Sequence, residues 1–164
     1  MLVLELIELL KQEFGLYESL LQILQDEKAS LVKRSSEEMY ALVNKKETVI
    51  AKIKAVCDAT QDCMKRLAKE KGLNPQDVTL SNIITHEVQP YSAILNGYQS
   101  KLSAIANSIK ELNEINGRVI NMSLENVKKS LNFLRGFTNS LETYKPSGKL
   151  SPISIGPASI SKGV

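Results

Sequence analysis

The most regular pattern in the chain runs over residues 94–141, where apolar side chains recur at steps of three and four. One stripe comprises Ile94, Tyr98, Leu102, Ile105, Ile109 and Leu112. After two asparagines, Asn113 and Asn116, it resumes as Ile120, Leu124, Val127, Leu131, Leu134 and Leu141. Such spacing keeps the side chains on one face of a helix, the pattern of a seam packed against other helices. A helix over 90–143 would be roughly 80 Å long at about 1.5 Å per residue. No other segment matches that length, so its distal part is expected to extend beyond its partners.

Residues 2–34 predict a first helix with two adjoining stripes. One is Val3, Ile7, Leu10, Phe14, Tyr17, Leu21, Leu24 and Leu31, broken by Lys28; the other is Leu2, Leu6, Leu9, Leu16, Leu20 and Ile23. A face that broad suits a helix touching two neighbours. Ser35, with Glu38 three residues on, has capping-box spacing and marks a new start; the alternative is one unbroken helix with a polar patch. A second helix from Glu37 to about Lys71 would bury Met39, Leu42, Val43, Val49, Ile50, Ile53, Val56, Met64 and Leu67. Gly72 fits the position just past its end. In the connector, Asn74-Pro75 marks a turn, Thr79 caps a short helix through Ile83 and Ile84, and Pro90 opens the long helix.

Charge placement orients the first two helices. Residues 2–27 set Glu5, Glu8, Glu13, Glu18, Asp26 and Glu27 against Lys11 alone, whereas residues 45–71 carry eight Lys or Arg and four acids. Antiparallel packing brings these opposite signs together. The predicted fold is therefore all-α, an elongated antiparallel helical bundle or coiled coil of three long helices plus a short connector helix. Residues 1–144 form its single domain. Residues 145–164, with Pro146, Pro152, Pro157, three glycines and several serines, read as a flexible tail able to order on a partner.

Composition narrows the function. The net charge of +3 comes entirely from Lys145, Lys149 and Lys162, so no concentrated basic face exists for nucleic acid. Acidic Glu5 and Glu8 stand where a signal peptide needs positive charge, and no apolar run approaches membrane-spanning length, so the chain reads as cytoplasmic, without stable membrane insertion. Cys57 and Cys63, six residues apart, fall on different helix faces and match no common zinc spacing, which fits reduced, buried or half-buried thiols. His86 lacks a second ligand nearby, and Gly97, Gly117 and Gly136 are too far apart for a phosphate loop. Pairs such as Glu37–Glu38 and Glu111–Glu114 suit solvated helix faces. No catalytic residue, metal ligand or cofactor site is expected, and the protein is not read as an enzyme.

The segment Glu111-Leu112-Asn113-Glu114-Ile115-Asn116 carries the sharpest local signal. Asn116 falls where the stripe calls for an apolar residue, and a polar amide on a seam costs stability but fixes register. Asn113 and Asn116 are the candidate register residues; the alternative is a solvated helix boundary at Asn116. With the Leu-rich N-terminus bearing Glu27 and Leu31, Lys46-Glu47 before Val49-Ile50, Thr79-Leu80, the run from Ser123-Leu124 through Val127, Leu131 and Leu134, and Tyr144 with Gly148, the sequence resembles the FlgN family of flagellar type III export chaperones over most of residues 2–148. The resemblance implies a helical cytoplasmic protein that binds the C-terminal helical regions of hook-associated junction proteins and keeps them export-competent. It also implies contact with the export apparatus through a C-terminal tyrosine, for which Tyr144 is the candidate. The expected client-binding residues are Ile120, Leu124, Val127, Leu131, Leu134 and Leu141, flanked by Phe133 and Phe137. Two alternatives stand beside this. The same stripe could be core packed on the first two helices, or the heptads could serve a structural coiled coil that self-associates, as a homodimer for example, without a client.

Overall fold

A computed structural model describes residues 1–33, 35–139, 142–144 and 150–152. Four helices account for most of it: α1 (Leu2–Lys33), α2 (Ser36–Glu70), the short α3 (Leu80–Thr85) and α4 (Tyr91–Asn139). The fold is all-α, three long helices and a short connector helix. After α4 come two three-residue strands, β1 (Glu142–Tyr144) and β2 (Leu150–Pro152), paired antiparallel with Tyr144 opposite Leu150. They stand where the sequence predicts the helix end and the flexible tail; the rest of that tail lies outside the described residues. By internal contacts the chain divides into two compact units, Met1–Val119 and Ile120–Val164.

Within the first unit α1 and α2 form an antiparallel hairpin. The opposite charges meet as expected: Arg66 donates to Glu5 at one end, and Lys46 to Glu27 nearer the other. The exposed Arg66–Glu5 pair contributes at most about 1 kcal/mol and so chooses orientation more than it holds the fold, whereas the Glu27 carboxylate is buried. The break between the helices falls at Ser35, but not through a capping box. Ser35 adopts an extended backbone (φ −87°, ψ 105°) with no side-chain cap bond. Instead, Ser30 Oγ donates to the Ser35 carbonyl at 3.1 Å and ties the turn back to α1.

α2 ends as Gly72 predicts. Gly72 has φ +71°, its N–H donates to the Lys69 carbonyl, and that of Leu73 donates to Ala68 at 2.8 Å. This is the Schellman arrangement, which satisfies the last carbonyls of the helix. Thr79 then caps α3, accepting from Asn82 N–H at 3.2 Å. The Lys71 ammonium binds the His86 carbonyl at 3.0 Å and Glu87 at 2.9 Å, fastening the connector to the end of α2. The chain thus re-enters beside the start of α1, so residues 91–119 of α4 run parallel to α1.

The core at this end consists of Val3, Leu6, Leu10, Cys63, Met64, Leu67, Ile83 and Leu95. Two expectations shift here. Ile94 is 41% exposed, while Leu95 is fully covered. Counting from Leu95 gives 95, 98, 102, 105, 109, 112, 116, an unbroken alternation of three and four, whereas starting from Ile94 needs two successive steps of four. On α1 the buried line is Val3, Leu6, Leu10, Leu20, Leu24 and then Glu27, which passes between the two stripes read from the sequence. On α2, Val43 and Ile50 are exposed rather than buried.

Candidate functional site

Two features stand out: a buried polar node in the first unit and an exposed apolar helix face in the second. The node joins all three long helices. Glu27 on α1 is 3% exposed and Asn116 on α4 is 2% exposed. The Asn116 amide donates to the Leu24 carbonyl at 2.9 Å and to Glu27 Oε2 at 3.2 Å, and Lys46 of α2 donates to the other carboxylate oxygen. Both neighbours of the amide nitrogen are acceptors, which fixes the orientation of the Asn116 side chain. Its Oδ1 is buried without a hydrogen-bond partner. Leaving a polar atom unsatisfied costs about 1–3 kcal/mol, which offsets part of what the node's hydrogen bonds contribute. Asn113, three residues earlier, is exposed.

Nearer the start of the bundle, the Cys57 thiol donates to Glu13 Oε1 at 3.4 Å, with the Tyr17 hydroxyl bonded to the same pair. Burial, then the Glu13 charge, pushes the Cys57 thiol up. Burial, then the charges of Cys57 and Glu13, raises the Tyr17 phenol far above its ordinary range. Cys63 is buried and also raised, chiefly by burial. These thiols are held protonated, the opposite of what a nucleophile needs. His86 closes α3, its Nδ1 within 2.8 Å of the Asn82 carbonyl. Among the described residues no group of His, Cys, Asp or Glu is arranged to hold a metal ion, and no helix is long and apolar enough to cross a membrane.

The distal stripe of α4 has a different environment from the proximal one. Ile120 is 45% exposed, Leu124 51%, Val127 55%, Leu131 50% and Leu134 58%. Met122 and Phe133 are more exposed still, and every residue from 120 to 135 is exposed. An isolated amphipathic helix is marginal in water and gains most of its stability from packing of its apolar face. This stretch therefore offers a continuous helix-sized surface with apolar area still to be covered. Leu141 lies outside the described residues. Tyr144 is described only in its backbone, as the last residue of β1.

Sequence reasoning missed Glu27 and Lys46 as a buried pair. The available signal was that Glu27 continues the Leu20–Leu24 ladder at a step of three, inside the acidic arm that faces the basic half of α2. Comparison with known proteins adds one finding: the family model described as FlgN protein matches residues 1–152. No curated protein and no solved structure matches the chain.

Proposed function

The chain belongs to the FlgN family of flagellar export chaperones, which are not enzymes, and from that premise we propose that its client docks on the exposed face of α4. The client would be the C-terminal helical region of a hook-associated protein. The reading rests above all on the half-exposed heptad of Ile120, Leu124, Val127, Leu131 and Leu134. An amphipathic helix laid along it would engage knobs at three- and four-residue steps, the helix-in-groove mode, with no nucleotide or cofactor required.

The stripe supplies part of the driving force. Full burial of a Leu, Ile or Val side chain is worth about 1.5–3 kcal/mol. Covering the remaining half of five such side chains gives roughly 4–7 kcal/mol before the costs of association. Association itself costs about 4–15 kcal/mol, so apolar surface on the client must supply the balance, and the net grip is reversible, as a carrier that must release its cargo requires. Holding the client's assembly helices in this way would block their premature polymerisation in the cytoplasm. Tyr144, just past α4, is the proposed contact with the export apparatus.

Leu131→Asp tests the surface. Leu131 is half-exposed, so the variant should keep its far-ultraviolet dichroism while losing capture of a hook-associated protein C-terminal fragment in a pull-down. Loss of helicity together with binding would mean that the stripe holds the chain's own fold.

A further inference from the structure

The distal face of α4 is asymmetric in charge, and the asymmetry bears on what can lie against it. With the seam of Ile120, Leu124, Val127, Leu131 and Leu134 facing forward, about 100° per residue places Asn121, Lys128 and Arg135 along one edge. Ser123 and Ser130 line the other edge. Lys129 falls diametrically opposite the seam, with Arg118 and Glu125 near it. The two edges therefore carry cations on one side, small hydroxyls on the other, and no acid on either.

In paired helices the residues flanking the seam set partner choice and orientation. A second copy of this chain fits poorly by that rule. Antiparallel pairing would set Lys128 against its own counterpart, with the cationic edges on one side and the serine edges on the other. Parallel pairing would set Lys128 across from serine. Neither arrangement yields an ion pair, and the first opposes like charges.

We propose that the segment received by this face is an amphipathic helix bearing Asp or Glu along the one edge that meets Lys128, and that this edge selects it over a second copy of the chain. The inference rests on α4 being the docking surface proposed above. It adds which helices that surface accepts. The serine edge leaves the other side of the partner free to be neutral and to approach closely, so the acidic requirement is one-sided.

Two synthetic amphipathic peptides of about three heptads, identical except for Glu or Gln along one edge, test this with the full-length chain. Titration calorimetry at low salt should show the Glu-edged peptide binding several-fold more tightly. Lys128→Glu should weaken that peptide by about five- to tenfold, whereas Lys129→Glu, the same charge change on the opposite side, should alter it by less than about twofold. The Glu-over-Gln preference should collapse in concentrated salt. Both substituted lysines are exposed, and dichroism checks that each variant stays helical.

Equal binding of the two peptides, equal effects of the two substitutions, or a chain dimer that excludes the peptide would overturn the proposal. If both peptides bind alike and Leu131→Asp abolishes both, the charge selection fails and the docking surface stands. If neither binds and Leu131→Asp leaves hook-protein capture intact, both readings fail.

Discussion

Lys46→Met isolates the one buried charge in the three-helix node. The Glu27 side chain is 4% exposed and that of Lys46 is 24% exposed. Removing the ammonium leaves the carboxylate with the Asn116 amide, 3.2 Å away, as its remaining side-chain donor. Stranding one member of a buried ion pair costs about 3–5 kcal/mol. Lys46 lies partly in solvent and Asn116 still donates, so the cost falls somewhat below that range, at about 2–3 kcal/mol. In a chain of this size each kcal/mol moves Tm by about 2–4 °C, which sets the expected fall at roughly 5–10 °C. Adding Glu27→Gln removes the stranded charge and should recover at least half of the loss. Urea and thermal unfolding at pH 7, followed by dichroism for the wild type, both single variants and the double, measure the free energies and the Tm. A loss below about 0.5 kcal/mol for Lys46→Met, or a double variant no more stable than it, would mean that water reaches Glu27 in solution and the node is not a buried pair.

Other outcomes follow from the same contacts. Cys57 and Tyr17 keep their protons in the fold past the pH at which the unfolded chain releases them. The unfolded state then binds fewer protons, so stability falls as pH rises above the ordinary thiol value of roughly 8.5 and is fully present below it. Urea midpoints at pH 7.5 and 10 should separate by less in Cys57→Ala than in the wild type; an equal separation would place the titration elsewhere. Gly72→Ala should lower stability by about 1 kcal/mol or more, because φ +71° is the left-handed region and no neighbouring atom lies near an added Cβ to offset the strain. A neutral result in thermal unfolding would show that the end of α2 rearranges around the substitution.

Much of the fold is set by local chemistry and can be read directly from the chain. The helices follow from three-and-four spacing. The Schellman end at Gly72 and the Thr79 cap follow from residue types whose backbone preferences act over three or four positions, while the break at Ser35 is held by Ser30 reaching the Ser35 carbonyl rather than by a cap. The antiparallel hairpin follows from opposite charge on its two arms, since orientation is the one thing that weak, summed electrostatics decides well. Asn116 shows itself as a polar residue on an apolar ladder.

Tertiary structure alone decides what each apolar face meets. Tyr98, Leu102 and Ile105 have the same spacing as Ile120, Leu124 and Val127, yet the first set is half-buried or buried and the second is exposed. Periodicity specifies a helix with a greasy side; the cover for that side comes from residues far away in the sequence. For the same reason Leu95 rather than Ile94 enters the core, because α1 and α3 settle the rotation of α4 and a one-residue change turns the helix by about 100°. Glu27 becomes a buried carboxylate only because Lys46 and Asn116 arrive from two other helices to neutralise and bind it.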